Sequence, residues 1–412
     1  MVDDRMLRDM PELQGIRKMT QFAHYDHSGF VGGKQCLCCN RDLLPLINFG
    51  DMPLVNTYNV KEKFPLAVNR CVSCCHLQLH QFVDPNVLYR DYAYCSGTGR
   101  TALDYFRDFA RTALSYVPNA RNVLDIASND GSQLDAFKVL GLKTAGIDPA
   151  ENLAPVAIKK GHYIRAQFLE SVSFERETYD ILTAQNVVAH TIDPWTFLKN
   201  CTNAMHDGSR LFVATSQANI VVNGEVDTIY HEHVSYFNAH SMAKLASRVG
   251  LKLLDIVMHD IHGTSYVFVL GKTGEVSSRV KARMEWEQVV GMLSMPIYSW
   301  WKGHVRDKIC RVGNTIEQYA KEGFYTVGCG AAAKGISMLN MARVKLDVIA
   351  DNTPTKWNRE TSGMKIVPFT EIGKITADKV LFVVLAWNVG AEIRKNILAL
   401  RDNKDDVFIE TR

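Results

Sequence analysis

Two stretches of the chain alternate short apolar strands with helix-like segments, and this alternation limits the possible fold more than any other feature. Strand-like runs of the first stretch lie at 122–128, 143–148, 180–187 and 210–215. Each of the first three is followed by a plausible helix, which is the pattern of parallel strands joined by crossover helices. The second stretch begins near residue 325 and repeats the alternation. The sequence therefore predicts an α/β fold with two parallel sheets.

The length indicates several domains. At 412 residues the chain exceeds the roughly 250–300 residues that one hydrophobic core sustains. We predict an N-terminal extension, a cysteine-rich domain, a central α/β domain and a C-terminal α/β domain that starts with one or two amphipathic helices. The predicted boundaries are 1–30, 31–95, 96–277 and 278–412.

Composition and charge narrow the class of protein and its partners. Hydrophobic residues make up 47% of the chain and charged residues 22%, which is ordinary for a soluble globular enzyme. The net charge of +3 gives no reason to expect nucleic acid or an anionic membrane as a partner, although a small anionic substrate needs only a local basic pocket. We see no apolar run of about 18 residues and no secretory signal, so we expect a cytoplasmic protein.

Four cysteines have the spacing of a zinc site. Cys36 and Cys39 form one C-x-x-C pair, and Cys71 and Cys74 form another after a 31-residue insert. Two such pairs place four thiolates around one tetrahedral ion, which predicts a structural zinc without an open position for water. Cys38 and Cys75 could compete as ligands, and chance clustering of buried or redox cysteines is the alternative.

The segment "VLDIASNDGSQLDAF" (123–137) follows the first strand of the central domain and leads into a helix. In S-adenosylmethionine (SAM) enzymes this turn is usually an acidic residue, x, Gly, x, x, x, Gly. Asp125 and Gly131 occupy the outer positions, whereas Ala127 replaces the inner glycine and is tolerated if its φ is negative. Asp148 ends the second strand, where a carboxylate accepts hydrogen bonds from ribose hydroxyls. The spacing between Asp125 and Asp148 fits either SAM or NAD. The absence of a G-x-G-x-x-G motif in this turn favours SAM. The alternative is a generic α/β turn that binds no nucleotide.

The segment "YHEHVSYF" (230–237) crowds ionisable side chains together. It is not the zinc-protease motif H-E-x-x-H, because Ser235 stands where the second histidine is needed. In an extended chain Tyr230 and Glu232 share one face and His231 and His233 the other. Tyr230 and His233 converge only in a turn or loop, so we expect non-strand geometry. The alternative is a set of structural histidines and core aromatics, the role we assign to His231 and His240.

A glycine-containing loop opens a helix in the C-terminal domain. In "VGCGAAAKG" (327–335), Gly328 and Gly330 could let backbone N–H groups bind a phosphate with help from Lys334. The glycines could equally serve only the packing of the strand against the helix.

Several of these segments together resemble one family, the SAM-dependent C-methyltransferases of nucleotide-linked deoxysugars. The matching segments are both cysteine pairs, "FGDMPLVNTY", "RCVSCCHLQL", "SNDGS", "AQNVVAH", "YHEHVSYF", "HGTS" and "GCGAAAKG". The resemblance covers the chain from about residue 35 and implies a zinc-binding N-terminal domain, a central Rossmann-like class I methyltransferase domain and a C-terminal Rossmann-like domain. Ala127 and "HGTS" depart from the pattern of the family.

The resemblance implies a reaction and a set of site residues. Methylation of a carbon next to a ketone needs a base with a pKa near 7 and stabilisation of an enolate, to which histidine and tyrosine are suited. The implied catalytic residues are His233, Tyr230, Glu232 and His190. The implied SAM-binding residues are Asp125, Ala127, Ser128, Asn129, Gly131, Asp148, Gln185 and Asn186. The implied contacts to a nucleotide-sugar substrate are Tyr94, Ser96, His262, Gly330 and Lys334.

Two alternatives stay open from the sequence. The enzyme could instead methylate nitrogen, oxygen or a metabolite that is not a sugar. The chain could also be a zinc-stabilised nucleotide-binding protein without catalysis, for which Ala127 is the main indication. We expect a monomer or homodimer.

Overall fold

The structure is a computed structural model that describes most of the chain. The described residues are 30–32, 35–59, 61–89, 97, 100–174, 179–215, 219–259 and 265–411. Three expected substrate contacts, Tyr94, Ser96 and His262, lie outside these residues.

The N-terminal region is built on small antiparallel sheets. Its elements are β1 (Phe30–Gly32), β2 (Leu43–Pro53), β3 (Lys63–Cys71), β4 (Leu77–Leu79), β5 (Gln81–Val83) and the short helix α1 (Pro85–Tyr89). Strands β1 and β5 pair with each other, while β4, β3 and β2 lie side by side. A fourth strand, β11 (Ser235–Tyr236), joins β4 from far along the chain. The sequence analysis did not predict this two-residue strand.

The central region contains a seven-stranded sheet in the order β12-β13-β10-β9-β6-β7-β8. Its strands are β6 (Asn122–Ile126), β7 (Lys143–Ile147), β8 (Tyr163–Arg165), β9 (Tyr179–Gln185), β10 (Met205–Thr215), β12 (Lys252–His259) and β13 (Ser265–Gly271). Five strands are parallel, and β12 and β13 form an antiparallel edge. All four predicted strands of this region are confirmed.

Helices cover both faces of the central sheet. They are α2 (Arg100–Tyr116), α3 (Ser132–Val139), α4 (Ala154–Lys159), α5 (Pro194–Asn203), α6 (Ile220–Asn223) and α7 (Ala239–Arg248). Neighbouring residues of one strand bury opposite faces: Val123 packs into one hydrophobic cluster and Leu124 into another. This double burial explains why the strands read as continuous apolar runs, as parallel strands do.

Two helices lead into the C-terminal region, α8 (Ser278–Val289) and α9 (Met295–Lys321). A six-stranded sheet follows in the order β16-β17-β15-β14-β18-β19. Its elements are β14 (Tyr325–Cys329), α10 (Ala333–Ala342), β15 (Val348–Asp351), β16 (Glu360–Thr361), β17 (Met364–Pro368), β18 (Val380–Val384), α11 (Gly390–Leu400) and β19 (Val407–Glu410). Only β16 pairs antiparallel among these strands. The predicted α/β fold with two largely parallel sheets is confirmed.

One hydrophobic cluster joins all three regions. It contains Leu66 of β3, Ile229 and Val234 of the connection between α6 and β11, Trp301 of α9 and Leu385 beyond β18. The segment around residue 230 therefore lies where the three regions meet. Among the described residues no helix is long and apolar enough to cross a membrane.

Candidate functional site

The turn between β6 and α3, residues 127–131, contains three residues in the left-handed conformation. Ala127 has φ 61°, Asn129 φ 50° and Gly131 φ 77°. The condition under which alanine is tolerated here, a negative φ, is not met, so the methyl group of Ala127 stands in a conformation that alanine disfavours. Gly131 is required on steric grounds as well, because a Cβ there would lie 2.8 Å from Cδ2 of His162. We call residues 127–131 the SAM turn, after the contact that the sequence analysis predicts for them.

Asp148, directly after β7, holds the SAM turn in place. Its Oδ2 accepts a hydrogen bond of 2.8 Å from the backbone N–H of Asn129, and its Oδ1 accepts one of 2.8 Å from Ala150 N–H. Burial raises the pKa of this carboxyl group, and the two N–H donors oppose that shift. Each carboxylate oxygen keeps a second lone pair. The ribose contact expected for Asp148 therefore stays a prediction.

Asp125, on β6, is a buried acid beneath the turn. It is 3% exposed, and its Oδ1 accepts a hydrogen bond of 2.5 Å from the Thr183 hydroxyl. Burial raises the pKa of Asp125 to about 7; the Thr183 hydrogen bond opposes this shift and the charge of Asp148 adds to it. A raised pKa of this kind is found at functional sites in clefts and also in structural networks of buried charges, so it makes Asp125 a candidate functional group.

Two buried polar atoms near the turn suit a polar ligand. Ser128 Oγ and Gln185 Oε1 are buried and have no hydrogen-bond partner within the described part of the chain. Ser128 follows β6, and Gln185 is the last residue of β9. Asn186, the next residue, is exposed and has φ 54°. Buried polar groups are nearly always satisfied, so these two atoms at the carboxyl edge of the sheet fit a molecule with donors and acceptors, as SAM has.

The second part of the site is a turn that spans residues 228–233, and we call it the 228–233 turn. The backbone N–H of His233 donates to the Tyr230 carbonyl over 3.0 Å, which closes the turn. This brings the Tyr230 hydroxyl to 2.9 Å from His233 Nε2, with the ring centroids 4.1 Å apart. The structure thus has the non-strand geometry expected for this pair.

Hydrogen bonding fixes the tautomer of His233. Its Nδ1 lies 2.7 Å from the Thr228 carbonyl oxygen, which only accepts, so Nδ1 carries the hydrogen. In the neutral ring Nε2 is then the acceptor, and the Tyr230 hydroxyl donates to it. Burial is the main reason that the pKa of His233 lies well below 6.5. The charge of the neighbouring His190 is the second reason and lowers this pKa further. The result is a neutral imidazole whose unprotonated Nε2 faces a phenol, and its pKa lies below the value near 7 that the sequence analysis expects of the base.

Other ionisable groups lie near residues of the 228–233 turn. The His190 ring lies 4.9 Å from the His233 ring, and burial lowers the pKa of His190 to about 4. Glu232 is 3% exposed. Burial, together with the charges of Asp351 and Glu232, raises the pKa of Tyr58 to about 12, against the effect of Arg359. Tyr58 belongs to the segment "FGDMPLVNTY", which carried part of the family resemblance without a role for this residue.

The C-terminal region borders the 228–233 turn through α10 and the end of β18. Lys334 Nζ lies 4.8 Å from the centre of the Trp387 ring, and Trp387 Nε1–H donates to Asp227 Oδ2 over 2.6 Å. The positive charge of Lys334 also contributes, as a minor cause, to the low pKa of His233. Sequence reasoning missed Trp387 and Asp227, since neither lies in a segment with a recognisable chemical pattern.

The glycines of the "VGCGAAAKG" loop serve packing and backbone conformation. A Cβ on Gly328 would lie 2.9 Å from Leu385 Cδ1, and Gly330 has φ 82°. The Gly330 N–H already donates to the Ala350 carbonyl, and the next N–H in the chain donates to Asp351. These two amides are used within the protein, so a phosphate contact at Gly330 stays a prediction.

The four cysteines of the two C-x-x-C pairs lie together. All four sulfur atoms are within 4.8 Å of one another, with Cys36 Sγ 3.6 Å from Cys74 Sγ and Cys39 Sγ 3.4 Å from Cys71 Sγ. A regular tetrahedron around zinc at 2.3 Å has edges of about 3.8 Å, so the thiols fit this ion. Cys75 lies outside the group, because its sulfur is 3.0 Å from Arg70 Nη2. A site closed by four thiolates has no open position for a reactive water.

Comparison with known proteins adds three family models along the chain. A model described as "Putative zinc binding domain" matches residues 36–89, one described as "Methyltransferase domain" matches 94–256, and one described as "C-methyltransferase C-terminal domain" matches 260–409. C-methyltransferase NovU from Streptomyces niveus is 25% identical over 381 residues, which cover 87% of this chain and 91% of that protein.

Other relatives match the central part alone. The ubiquinone biosynthesis O-methyltransferase of Coxiella burnetii strain RSA 493 / Nine Mile phase I is 25% identical over 38% of this chain and 74% of its own. Among solved structures, magnesium protoporphyrin IX methyltransferase from Synechocystis PCC 6803 with bound SAM aligns with 42% of this chain and 79% of its own at a TM-score of 0.33 and 13% identity. A SAM-dependent methyltransferase from Clostridium acetobutylicum ATCC 824 aligns with 42% of this chain and 92% of its own at a TM-score of 0.36 and 13% identity.

The order of the three family models is the decisive finding. The zinc-binding model covers the four clustered thiols, the methyltransferase model covers the SAM turn and the 228–233 turn, and the C-methyltransferase model covers α10 and the second sheet. With a relative that spans nearly the same length, this order shows that the chain is a SAM-dependent methyltransferase with the domain layout of the C-methyltransferases, including a structural zinc site in its N-terminal domain.

Proposed function

We propose that this enzyme methylates a carbon next to the ketone of a deoxysugar carried by a nucleoside diphosphate, and that it does so through an enolate. The observation that carries the proposal is the Tyr230–His233 pair, in which a neutral imidazole directs Nε2 at a phenol 2.9 Å away. A reaction at carbon needs such a base, whereas transfer to an amine or an existing oxyanion does not.

The chain's own residues account for the proton. The carbon next to the ketone loses its proton to the Tyr230–His233 pair, and the electron pair of the C–H bond moves to form the enolate. His233 can hold the proton on Nε2 because Nδ1 stays bonded to the Thr228 carbonyl. Either residue of the pair can be the group that touches the substrate carbon. When bound, SAM supplies the electrophile: the enolate carbon bonds to the methyl group as the methyl–sulfur bond breaks.

The surroundings of the pair suit this chemistry. Lys334 and the Tyr58 hydroxyl are candidate partners for the enolate oxygen, a cation and a hydrogen-bond donor respectively. Burial keeps Tyr58 protonated, since its pKa is raised to about 12. Asp125, Ser128, Asp148 and Gln185 are proposed as SAM contacts, on the grounds of their place at the carboxyl edge of the sheet and the two unsatisfied atoms there.

Hydrogen exchange tests the proposal at the step that defines it. A keto-deoxysugar nucleotide incubated with the enzyme in D2O, without SAM, should gain deuterium at the carbon next to the ketone. Tyr230→Phe and His233→Gln should each slow this exchange by about 10²-fold or more if the altered residue is the base. Tyr163→Phe is the matched control, because Tyr163 is 61% exposed on the edge strand β8.

Three outcomes would contradict the proposal. Exchange at the parent rate in both variants would remove the pair from the chemistry. Methyl transfer to oxygen or nitrogen without exchange would favour the reaction type of the O-methyltransferases that match the central part of the chain. Absence of SAM binding in calorimetry would instead favour a protein without catalysis.

A further inference from the structure

The 228–233 turn continues directly into the sheet of the zinc domain. Ser235 and Tyr236 of β11 pair with Gln78 and Leu77 of β4, and the Leu79 N–H donates to the Val234 carbonyl over 2.9 Å. A side-chain contact lies beside this pairing, with His76 Nε2 3.1 Å from Ser235 Oγ. The residues after the Tyr230–His233 pair are thus held by a strand that begins three residues beyond Cys74.

Asn238 connects this segment to the second C-x-x-C pair, Cys71 and Cys74, which we call the zinc knuckle. Its Nδ2 donates to the Cys75 carbonyl over 3.1 Å and lies 3.5 Å from the carbonyl of Cys74. Its Oδ1 accepts from the Ser241 N–H over 2.7 Å, which caps α7. The residue is 2% exposed, so water does not replace these contacts. One side chain therefore links a zinc ligand, the start of α7 and the segment that follows the 228–233 turn.

We infer that the zinc knuckle is a positioning device for the Tyr230–His233 pair and that Asn238 is the positioning residue that couples them. The inference rests on the proposed function of the pair. Zinc coordination fixes Cys71 and Cys74, and with them the carbonyl groups that Asn238 binds. On the opposite side the turn is held by Ser337 of α10, whose hydroxyl donates to the Ile229 carbonyl over 2.7 Å.

The energetic reason is the sensitivity of proton transfer to geometry. Reacting atoms must lie about 3–3.5 Å apart, and a displacement of about 1 Å can cost 10²-fold in rate. Tyr230 and His233 lie on a turn rather than a regular element, so their position depends on the contacts at its two ends. SAM binding should not depend on those contacts, since the SAM turn lies between β6 and α3.

The variant Asn238→Ser separates the two functions of this side chain. Serine is as good a helix N-cap as asparagine, so α7 keeps its cap, but serine is too short to donate to the Cys75 carbonyl. We expect unchanged zinc content and SAM affinity, together with a loss of about 10- to 100-fold in kcat and in solvent deuterium exchange without SAM. Ser241→Ala is the matched control: it weakens the cap and leaves the carbonyl contacts in place, so the melting temperature falls while the exchange rate stays near that of the parent.

Three results would decide against the inference or its basis. Parent-like exchange in Asn238→Ser, with exchange abolished in Tyr230→Phe, contradicts the positioning role alone. Equal losses of zinc, SAM affinity and exchange in Asn238→Ser show general unfolding, which also overturns it. If neither Tyr230→Phe nor His233→Gln affects exchange, the proposed chemistry fails, and the positioning role fails with it.

Discussion

At the residue scale, Ala127 stores backbone strain in the SAM turn. Its φ of 61° lies in the left-handed region, which costs an L-residue other than glycine roughly 1–2 kcal/mol. Two hydrogen bonds hold the turn in this conformation. The Ala127 N–H donates to the Ile147 carbonyl over 2.7 Å, and the Asn129 N–H donates to Asp148 Oδ2 over 2.8 Å. Strain of this kind persists where the surrounding contacts outweigh it, which is typical of ligand-binding turns.

Replacing Ala127 by glycine should stabilise the protein. The substitution removes the strain, while the greater freedom of glycine in the unfolded chain offsets about 0.4–1 kcal/mol of the gain. We expect a net rise of up to about 1 kcal/mol in the free energy of unfolding, measured by denaturant titration. Ala136→Gly, within α3, is the control and should lower stability by about 1 kcal/mol. A loss of stability in Ala127→Gly would contradict the strain argument.

The sequence located this turn but did not determine its conformation. The order of Asp125, Gly131 and Asp148 was sufficient to place a ligand turn after the first strand. The sign of φ at Ala127 depends on hydrogen bonds from residues that follow later in the chain, and no property of alanine indicates it. The same limit applies to Trp387 and Asp227, whose contact joins two regions 160 residues apart.

At the scale of elements, buried neutral histidines pack around the 228–233 turn. Burial lowers the pKa of His190 and of His231 to about 4 and that of His233 well below 6.5. In the unfolded chain each would take up a proton near pH 6.5, so below that pH the unfolded state binds more protons. Stability should therefore fall as the pH drops from about 6.5 towards 4.

The slope of this decline tests the burial of the histidines. Each neutral histidine contributes about 1.4 kcal/mol per pH unit in this range, and Asp125, whose pKa is raised to about 7, contributes a similar amount in the opposite direction. His231→Gln should reduce the net slope by about 1.4 kcal/mol per pH unit, because glutamine carries no titrating group and can still donate to the Phe64 carbonyl, which now binds His231 Nε2 over 3.0 Å. The measurement is chemical unfolding at pH 7, 6 and 5. An unchanged slope in the variant would mean that His231 is protonated in the folded protein.

Long elements followed from the sequence more readily than short ones. The apolar runs of β6, β7 and β9 are buried on both faces, so composition alone indicates them. β10 begins at Met205, five residues before the predicted start, because Met205 pairs with Tyr179, and the polar stretch that includes Asp207 and Gly208 forms an irregularity before the regular pairing resumes at Arg210. β11 has two residues and exists only through its pairing with β4, a contact that local pattern cannot encode.

At the scale of the whole molecule, the zinc domain is part of a shared core rather than an appended module. Buried residues of β3, of the 228–233 turn, of α9 and of the second sheet form one hydrophobic cluster. Arg248 of α7 contacts the first C-x-x-C pair, because its side chain donates to the carbonyl of Cys38, between Cys36 and Cys39, over 2.9 Å. The zinc ligands are therefore connected to both α/β domains, which links metal binding to the stability of the whole chain.

Removal of zinc should consequently destabilise the entire molecule. In small metal domains the metal-binding free energy is about 10–16 kcal/mol, and it is part of the folding free energy. If the N-terminal sheet melts, the shared cluster loses Leu66 and Val68 and exposes the partners of these side chains on the turn and the second sheet. Chelation should then lower the melting temperature of the whole protein in one calorimetric transition, abolish deuterium exchange and release four titratable thiols from the knuckles. A separate low-temperature transition, with the main transition unmoved, would show that the zinc domain unfolds alone and that the shared core does not couple the three regions.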